Sequence, residues 1–477
     1  MPEILPKSAW TPYTAAHLLN RAGFGGTPED VNAVYRLGCP AAVETLLRGN
    51  EDTDLFPAPS WAVPFDSLEY REKLKSASDE ERRKLERERR ADEQANIVSL
   101  RAWWMDRMRY SPHPLREKVT LFFHGHFATS FEKVNSAYLM YVQNETLRAA
   151  GLGSFRDLVK HISRDPAMIR WLDLNQSEKK RPNENFAREV MELFTLGEGN
   201  YSETDIQESA RAFTGYRVDP RTLEFRYDPN QHDDSEKTFM GRKGPFNGDD
   251  IIDIIVEQSA CPSFMTRKIF TFFAYENPEP EVVEVFADIY RASNYNTSAL
   301  LRAIFLSPIF YSKKAMHSQV KSPVQWIVQT SKALDVPTPG GAALEGAMRQ
   351  MGQVLFQPPN VKGWDGNRAW ISTSTLLFRY NLAAYFVNGK PPALEGMGGK
   401  KSEPIRISIE RVAPQPTRAD PDAVLDAVAF RMFNAPLTPA DRARFLVFLE
   451  ERRDRLDDHT IRDLMLLMMS SPEFQLT

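Results

Sequence analysis

Apolar positions in this chain recur mostly at three- and four-residue intervals, the period of an amphipathic helix. Ala15, Ala16, Leu18 and Leu19 form one short apolar stretch that ends at Gly23-Phe24-Gly25-Gly26. Thr27-Pro28-Glu29-Asp30 then opens a second helix. Thr27 suits the cap, Pro28 the first helical position, and the two acids the positive helix end. Because the glycines follow a helix and not a strand, they read as a helix connection and not as a phosphate cradle. Residues 69–95 alternate both charges at helical spacing, which predicts a solvated helical arm. An apolar and aromatic helix follows at Ile97, Leu100, Trp103, Trp104 and Met108; Pro112 and Pro114 interrupt it, and 115–123 resume the period.

The period changes to two at Leu223, Phe225 and Tyr227, which predicts a small β-hairpin or irregular excursion within 216–245. Ile405, Ile407 and Ile409 carry the same period and predict one further short strand near 405–412. Residues 391–420, rich in proline and glycine, read as a linker or surface loop. Asp249-Asp250 are placed to cap a helix over 251–256. A short repeat joins 300–310 to 464–474: an apolar helix stops at Ser-Pro, and a phenylalanine two residues later folds back onto it. A weaker copy runs from Leu158 to Met168 through Asp165-Pro166. The resulting fold class is mainly α: a multi-helical body with a small β excursion and a helical C-terminal subdomain. Its divisions are 1–215, 216–390 with the excursion, a helical unit and a tryptophan-rich loop, the linker at 391–420, and 421–477.

Composition narrows the function classes. Lys and Arg total 60 against 64 Asp and Glu, a net charge of −4, so there is no cationic excess to follow a nucleic-acid backbone. No apolar run reaches the ~18 residues of a membrane span. Two cysteines, Cys39 and Cys261, form neither a disulfide framework nor a thiolate zinc cluster. The first ten residues lack a basic start followed by an apolar stretch. The expected location is therefore cytoplasmic, or periplasmic or exported if a leader has been removed.

Five blocks, at 15–31, 116–130, 181–216, 232–255 and 357–381, together resemble the bacterial family catalogued as domain of unknown function number eighteen hundred. The resemblance implies a largely helical fold and no established activity. It also implies relatives that are often exported behind a twin-arginine leader. Those relatives are commonly encoded beside a second uncharacterised family similar to sulfatases and alkaline phosphatases, which makes an envelope protein encoded nearby an expected partner. Ser235 departs from the family pattern, standing where relatives usually carry glycine after the His-Asp pair.

Four blocks could carry chemistry. In His124-Gly125-His126 the imidazoles face one way on an extended segment and splay apart on a helix. Beside the apolar Leu121, Phe122 and Phe123 they are candidate metal ligands, acid/base groups or structural residues. In 183–192, Glu189 and Glu192 share a helix face, with Asn183, Glu184 and Arg188 as polar neighbours for a substrate. These acids are candidate ligands or an acid/base pair; the alternative is an ion-pair network with Arg188, Arg211 and Arg217. His232-Asp233 in the polar excursion is a candidate ligand or proton relay, or a turn. Asn360, Trp364 and Trp370 in a Pro/Gly loop are candidates for stacking a sugar ring while polar groups bind its hydroxyls. No G-x-S-x-G elbow, P-loop, HExxH or CxxC occurs.

Two readings follow. The first is a hydrolase of a polar polymer such as a polysaccharide, with catalytic His124, His126, Glu189, Glu192, His232 and Asp233. In its metal-assisted form His124, His126, Glu189 and His232 hold a divalent metal in one cavity. The second is a non-catalytic helical scaffold or an envelope-assembly or binding protein.

Overall fold

Proline is abundant in this chain, yet it does not break the helices, because it opens them. Pro12, Pro28, Pro114, Pro166, Pro280, Pro323, Pro421 and Pro439 each occupy the first position of a helix. There the missing N–H costs no hydrogen bond and the fixed φ already suits the helix. The computed structural model describes residues 3–48, 55–389 and 405–477. Its described residues form 23 α-helices and two antiparallel two-stranded hairpins, so the protein is mainly α.

The β-structure lies within the expected excursion. Tyr216–Val218 pairs with Phe225–Tyr227, and Lys237–Phe239 with Arg242–Gly244. Leu223 is not part of a strand: it is buried in the turn at φ 59. The strand expected at 405–412 does not form. Ile409–Val412 is a helical turn, and Ile405 and Ile407 are buried in irregular backbone. Alternation here reports burial, with no neighbouring strand among the described residues to pair with. The linker expectation falls partly on 390–404, which lie outside the described residues. Asn247, not Asp249 or Asp250, caps the helix Gly248–Val256; Asp250 completes the capping box and Asp249 pairs with Arg164.

The charged arm is two helices, Ser67–Ser76 and Asp79–Tyr110. The second runs unbroken into the tryptophan stretch for 32 residues. Its junction with the body is buried Glu93, which accepts from the Ala137 N–H (2.7 Å) and pairs with Arg89.

Two apolar clusters form the core. One is built around Phe122, Phe123, Phe194, Phe273 and Phe310, the other around Trp104, Leu121, Trp326, Phe356 and Phe474. The helix Pro114–His126 contributes Phe122 to the first and Leu121 to the second, so it runs along their seam. The repeated Ser-Pro-x-Phe turns close one cluster each. Phe310 meets Phe305 of its preceding helix edge-on at 5.1 Å, and Phe474 is buried against Trp326. In both cases a helix entered at proline, Pro280–Ala292 or Pro439–Glu450, precedes the helix that ends in the turn.

The weaker copy of that turn contains a titratable group. Asp165 caps Pro166–Trp171; its Oδ1 accepts from the Met168 N–H and from Gln143 Nε2, while its buried Oδ2 has no partner among the described residues. Burial pushes its carboxyl up to about 7. An unfolded aspartate titrates near ~3.9, so this group stabilises the fold most at low pH, and its contribution falls as pH rises towards about 7. Asp165→Asn keeps the Oδ1 acceptor and removes the buried charge. The expected outcome is a larger gain in thermal midpoint at pH ~8 than at pH ~4. Equal shifts at both would show that Asp165 titrates in the folded protein as it does in the unfolded chain.

Candidate functional site

The helix Pro114–His126 decides what the His-x-His pair can do. On a helix the two side chains diverge by about 200°. His124 points into the second cluster, where its ring meets Trp104, Phe356 and Trp364. Its Nε2 accepts from the Phe356 N–H at 3.0 Å. Burial, with Arg101 nearby, pushes its pKa down to about 3, so it is a neutral acceptor whose lone pair is already used. His126 points the other way. Its Nε2 donates to the Phe194 carbonyl at 3.0 Å. Burial first, then Lys268, hold its pKa well below the usual imidazole range despite that carbonyl. The remaining Nδ1 therefore carries a lone pair, and it is buried without a partner among the described residues.

His126 lines a cavity of about 450 Å3 at the seam between the two clusters. Lys118, Phe122, Gly125 and His126 form one stripe of the helix towards it. The helix Ala260–Phe273 faces them with Arg267, Lys268 and Phe272. Phe122 and Phe272 meet edge-on at 5.3 Å, and the Lys118 ammonium lies 5.5 Å from the Phe272 ring centre. A third wall is the tryptophan loop, with Lys362, Trp364, Asp365, Asn367 and Trp370; Glu276 adds a second carboxylate. Gln319, Gln325 and Gln353 supply amides.

The loop is held from both ends. His124 fixes the Phe356 N–H and supports Trp364 from beneath, and Asn367 Oδ1 accepts from the Val320 N–H at 2.7 Å. Asn360 is exposed and does not line the cavity; its Oδ1 accepts from the Lys362 N–H at 2.8 Å, which shapes the turn. Gly363 sits at φ 85 against the helix, where an added Cβ would be 2.4 Å from the Gly125 carbonyl oxygen.

The other expected site residues stand elsewhere. Glu189 and Glu192 lie on Asn185–Glu192 and do not line the cavity. Glu192 accepts from the Tyr201 hydroxyl at 3.0 Å; Glu189 has its carboxyl raised by burial and by Glu192, with Lys362 acting against that. Arg188 makes a two-pronged pair with Glu203 and a longer one with Glu184, and Asn183 Oδ1 accepts from the Asn185 N–H. His232 Nδ1 donates to the Thr214 carbonyl at 2.9 Å, beside the Tyr227 ring. Asp233 is bound by Arg211 and by the Ser235 hydroxyl and N–H. Burial acts to raise its carboxyl, but those partners outweigh it and hold it far below the usual range. Ser235 is thus part of this local network.

The shared centre of His124, His126, Glu189 and His232 expected from the sequence therefore does not assemble. Among the described residues no group of three or more His, Cys, Asp or Glu side chains is arranged to hold a metal ion. Most polar groups of these blocks find separate partners, which lowers the energetic pressure to bury them together. What does assemble is His126, Trp364 and Trp370, with basic and aromatic residues that sequence reasoning missed. Their only signal was the spacing of Lys118, Phe122 and His126, and of Lys268 and Phe272, each four apart on a helix.

A family model matches residues 17–476. The chain belongs to DUF1800, described as a protein of unknown function. The match includes every residue named at the cavity apart from Thr477, whose N–H donates to the Gln319 carbonyl at 2.9 Å beside it. No curated protein and no solved structure matches this DUF1800 chain. No helix among its described residues is long and apolar enough to cross a membrane.

Proposed function

We propose that this protein binds carbohydrate in the seam cavity. The observation that carries the reading is the pairing of Trp364 and Trp370 with amides and charged groups around one concave space of about 450 Å3. Aromatic faces pack on the apolar faces of a sugar ring, while amides and charges satisfy its hydroxyls. Hydrolysis of the bound sugar is the second reading. It is favoured by Glu276 and Asp365, two carboxylates at the wall of the kind that acid/base cleavage of a glycosidic bond requires. The metal-assisted form is not carried forward, because the lone pair that His124 would offer at Nε2 is used by the Phe356 N–H.

Gly125 supplies the test. Its added Cβ meets nothing within 4 Å, and the residue lines the cavity, so Gly125→Ala places a methyl group in the binding space. In a helix that exchange is stabilising by about 0.5–1 kcal/mol. Neutral and acidic oligosaccharides titrated against the protein are expected to give a saturable change in tryptophan fluorescence. Gly125→Ala should raise the thermal midpoint and weaken that binding, and Trp364→Ala should weaken it further. If no oligosaccharide binds, or if Gly125→Ala binds as the native protein does, the reading is wrong. Release of new reducing ends on prolonged incubation separates cleavage from binding alone.

A further inference from the structure

Several buried charges in this protein come with their opposites. Arg107 and Arg148 share Glu117, Arg101 meets Glu345, and Arg89 meets Glu93. The cavity and the region behind it break that pattern. Lys118 donates to Gln325 Oε1 and lies near the rings of Phe24 and Phe272; burial and then Arg21 push its pKa well down, and no carboxylate opposes them. Lys268 donates to the Leu193 carbonyl at 3.0 Å, and burial alone lowers it to about 8. Behind the cavity, Lys321 donates to the Phe474 carbonyl, and Arg379 to the Lys321 carbonyl and to Gln475. Arg21 donates to the Ala315 carbonyl and to Ser318, and its Nε and Nη1 are buried without partners. Carbonyls and amides satisfy these donors in part but supply no negative charge, and burying unpaired cations is costly. At the wall itself Lys118, Arg267, Lys268 and Lys362 outnumber Glu276 and Asp365. A surplus of one sign of charge in a low-dielectric cleft favours ligands of the other.

We propose that the ligand is an acidic sugar, whose carboxylate, sulfate or phosphate group binds against Lys118, Arg267 and Lys268 while its ring packs on the tryptophans. This rests on the carbohydrate reading above and adds the charge of the ligand. The anion supplies the counter-charge that the fold withholds from Lys118 and Lys268. A strongly hydrated lysine ammonium pairs with any of the three anionic groups, so the side chains specify the charge more closely than the acid.

The experiment is calorimetric titration with matched pairs of oligosaccharides: hexuronates, sulfated sugars and phosphorylated sugars, each against its neutral counterpart. At least one acidic member is expected to bind about tenfold or more tightly than its neutral partner, and the best of the three identifies the acid. Lys268→Met and Lys118→Met keep the aliphatic stems and remove the charge. Each should bring the ratio of acidic to neutral affinity towards one. A neutral sugar that binds as tightly as its acidic partner overturns this inference and leaves the carbohydrate reading standing. Failure of every sugar, acidic and neutral, overturns both. An acidic preference undiminished in both lysine variants places the anion elsewhere on the protein and also overturns it. Should one variant fail to fold, the comparison in the native protein and the other variant still decide.

Discussion

Replacing Glu117 with glutamine is expected to lower folding stability by about 3–5 kcal/mol. Glu117 is 1% exposed, on the helix that carries Lys118 and both site-block histidines. Its two oxygens accept from Arg148 Nε (2.7 Å) and Nη2 (3.0 Å), Arg107 Nε (3.1 Å) and Trp104 Nε1 (2.8 Å). Burial acts to raise its carboxyl, but Arg148 and then Arg107 outweigh that and hold it below the usual range. Glutamine keeps one acceptor oxygen, presents an NH2 group to donors, and leaves two buried guanidiniums short of a counter-charge. The Trp104 ring also meets His124 and Phe356, so the loss should reach the tryptophan loop. Denaturant unfolding followed by circular dichroism reads the effect. A loss below ~1 kcal/mol would class the cluster with exposed ion pairs and show that water reaches it.

Gly363→Ala should be the most damaging single change within the tryptophan loop. At φ 85 an L-residue loses about 1–2 kcal/mol of backbone conformational energy. The new methyl group would also lie 2.4 Å from the Gly125 carbonyl oxygen, a backbone atom of a packed helix that cannot simply turn aside. Overpacking of this kind typically costs about 1–3 kcal/mol more. The loop is expected to lift away from the helix, carrying Trp364 with it and widening the cavity. The measurable consequences are a lower thermal midpoint, a red-shifted tryptophan emission and weaker sugar binding. If Gly363→Ala matches the native protein in all three, the close approach of loop and helix is not a feature of the protein in solution.

Much of the architecture was legible in the sequence because its causes are local. Thr27, Pro28 and Asp30 form the expected cap, since the capping box needs only four consecutive residues. The excursion at 216–245 was visible as a change of period, and the folding back of Phe310 as a proline stop followed by an aromatic residue. Expectations failed where a local pattern needed a distant partner. Ile405 and Ile407 alternate as a strand would, but among the described residues no strand lies beside them.

The candidate site shows the same division more sharply. The tryptophan loop and the histidine pair stood out because Trp and His are scarce and carry recognisable chemistry. Their spacing left open whether His124 and His126 would face one way or splay apart, and the helix made them diverge. Which one would face a cavity depended on what lay on either side of the helix. The Phe356 N–H and the Trp104 ring, remote in sequence, claimed His124; Lys268 and Phe272, nearly 150 positions away from His126 in the chain, faced the other side. Glu189 and His232 were read as partners because buried polar groups need partners; His232 meets that need at the Thr214 carbonyl, and Glu189 stays on its own helix beside Glu192. Caps, helix stops and periodicity are short-range and so can be read in one dimension. A cavity, its surplus of cations and its unpaired imidazole nitrogen arise only where two helices and a loop from separate parts of the chain pack at one seam, because burial and the absence of a counter-charge are properties of the packed arrangement and not of any residue in it.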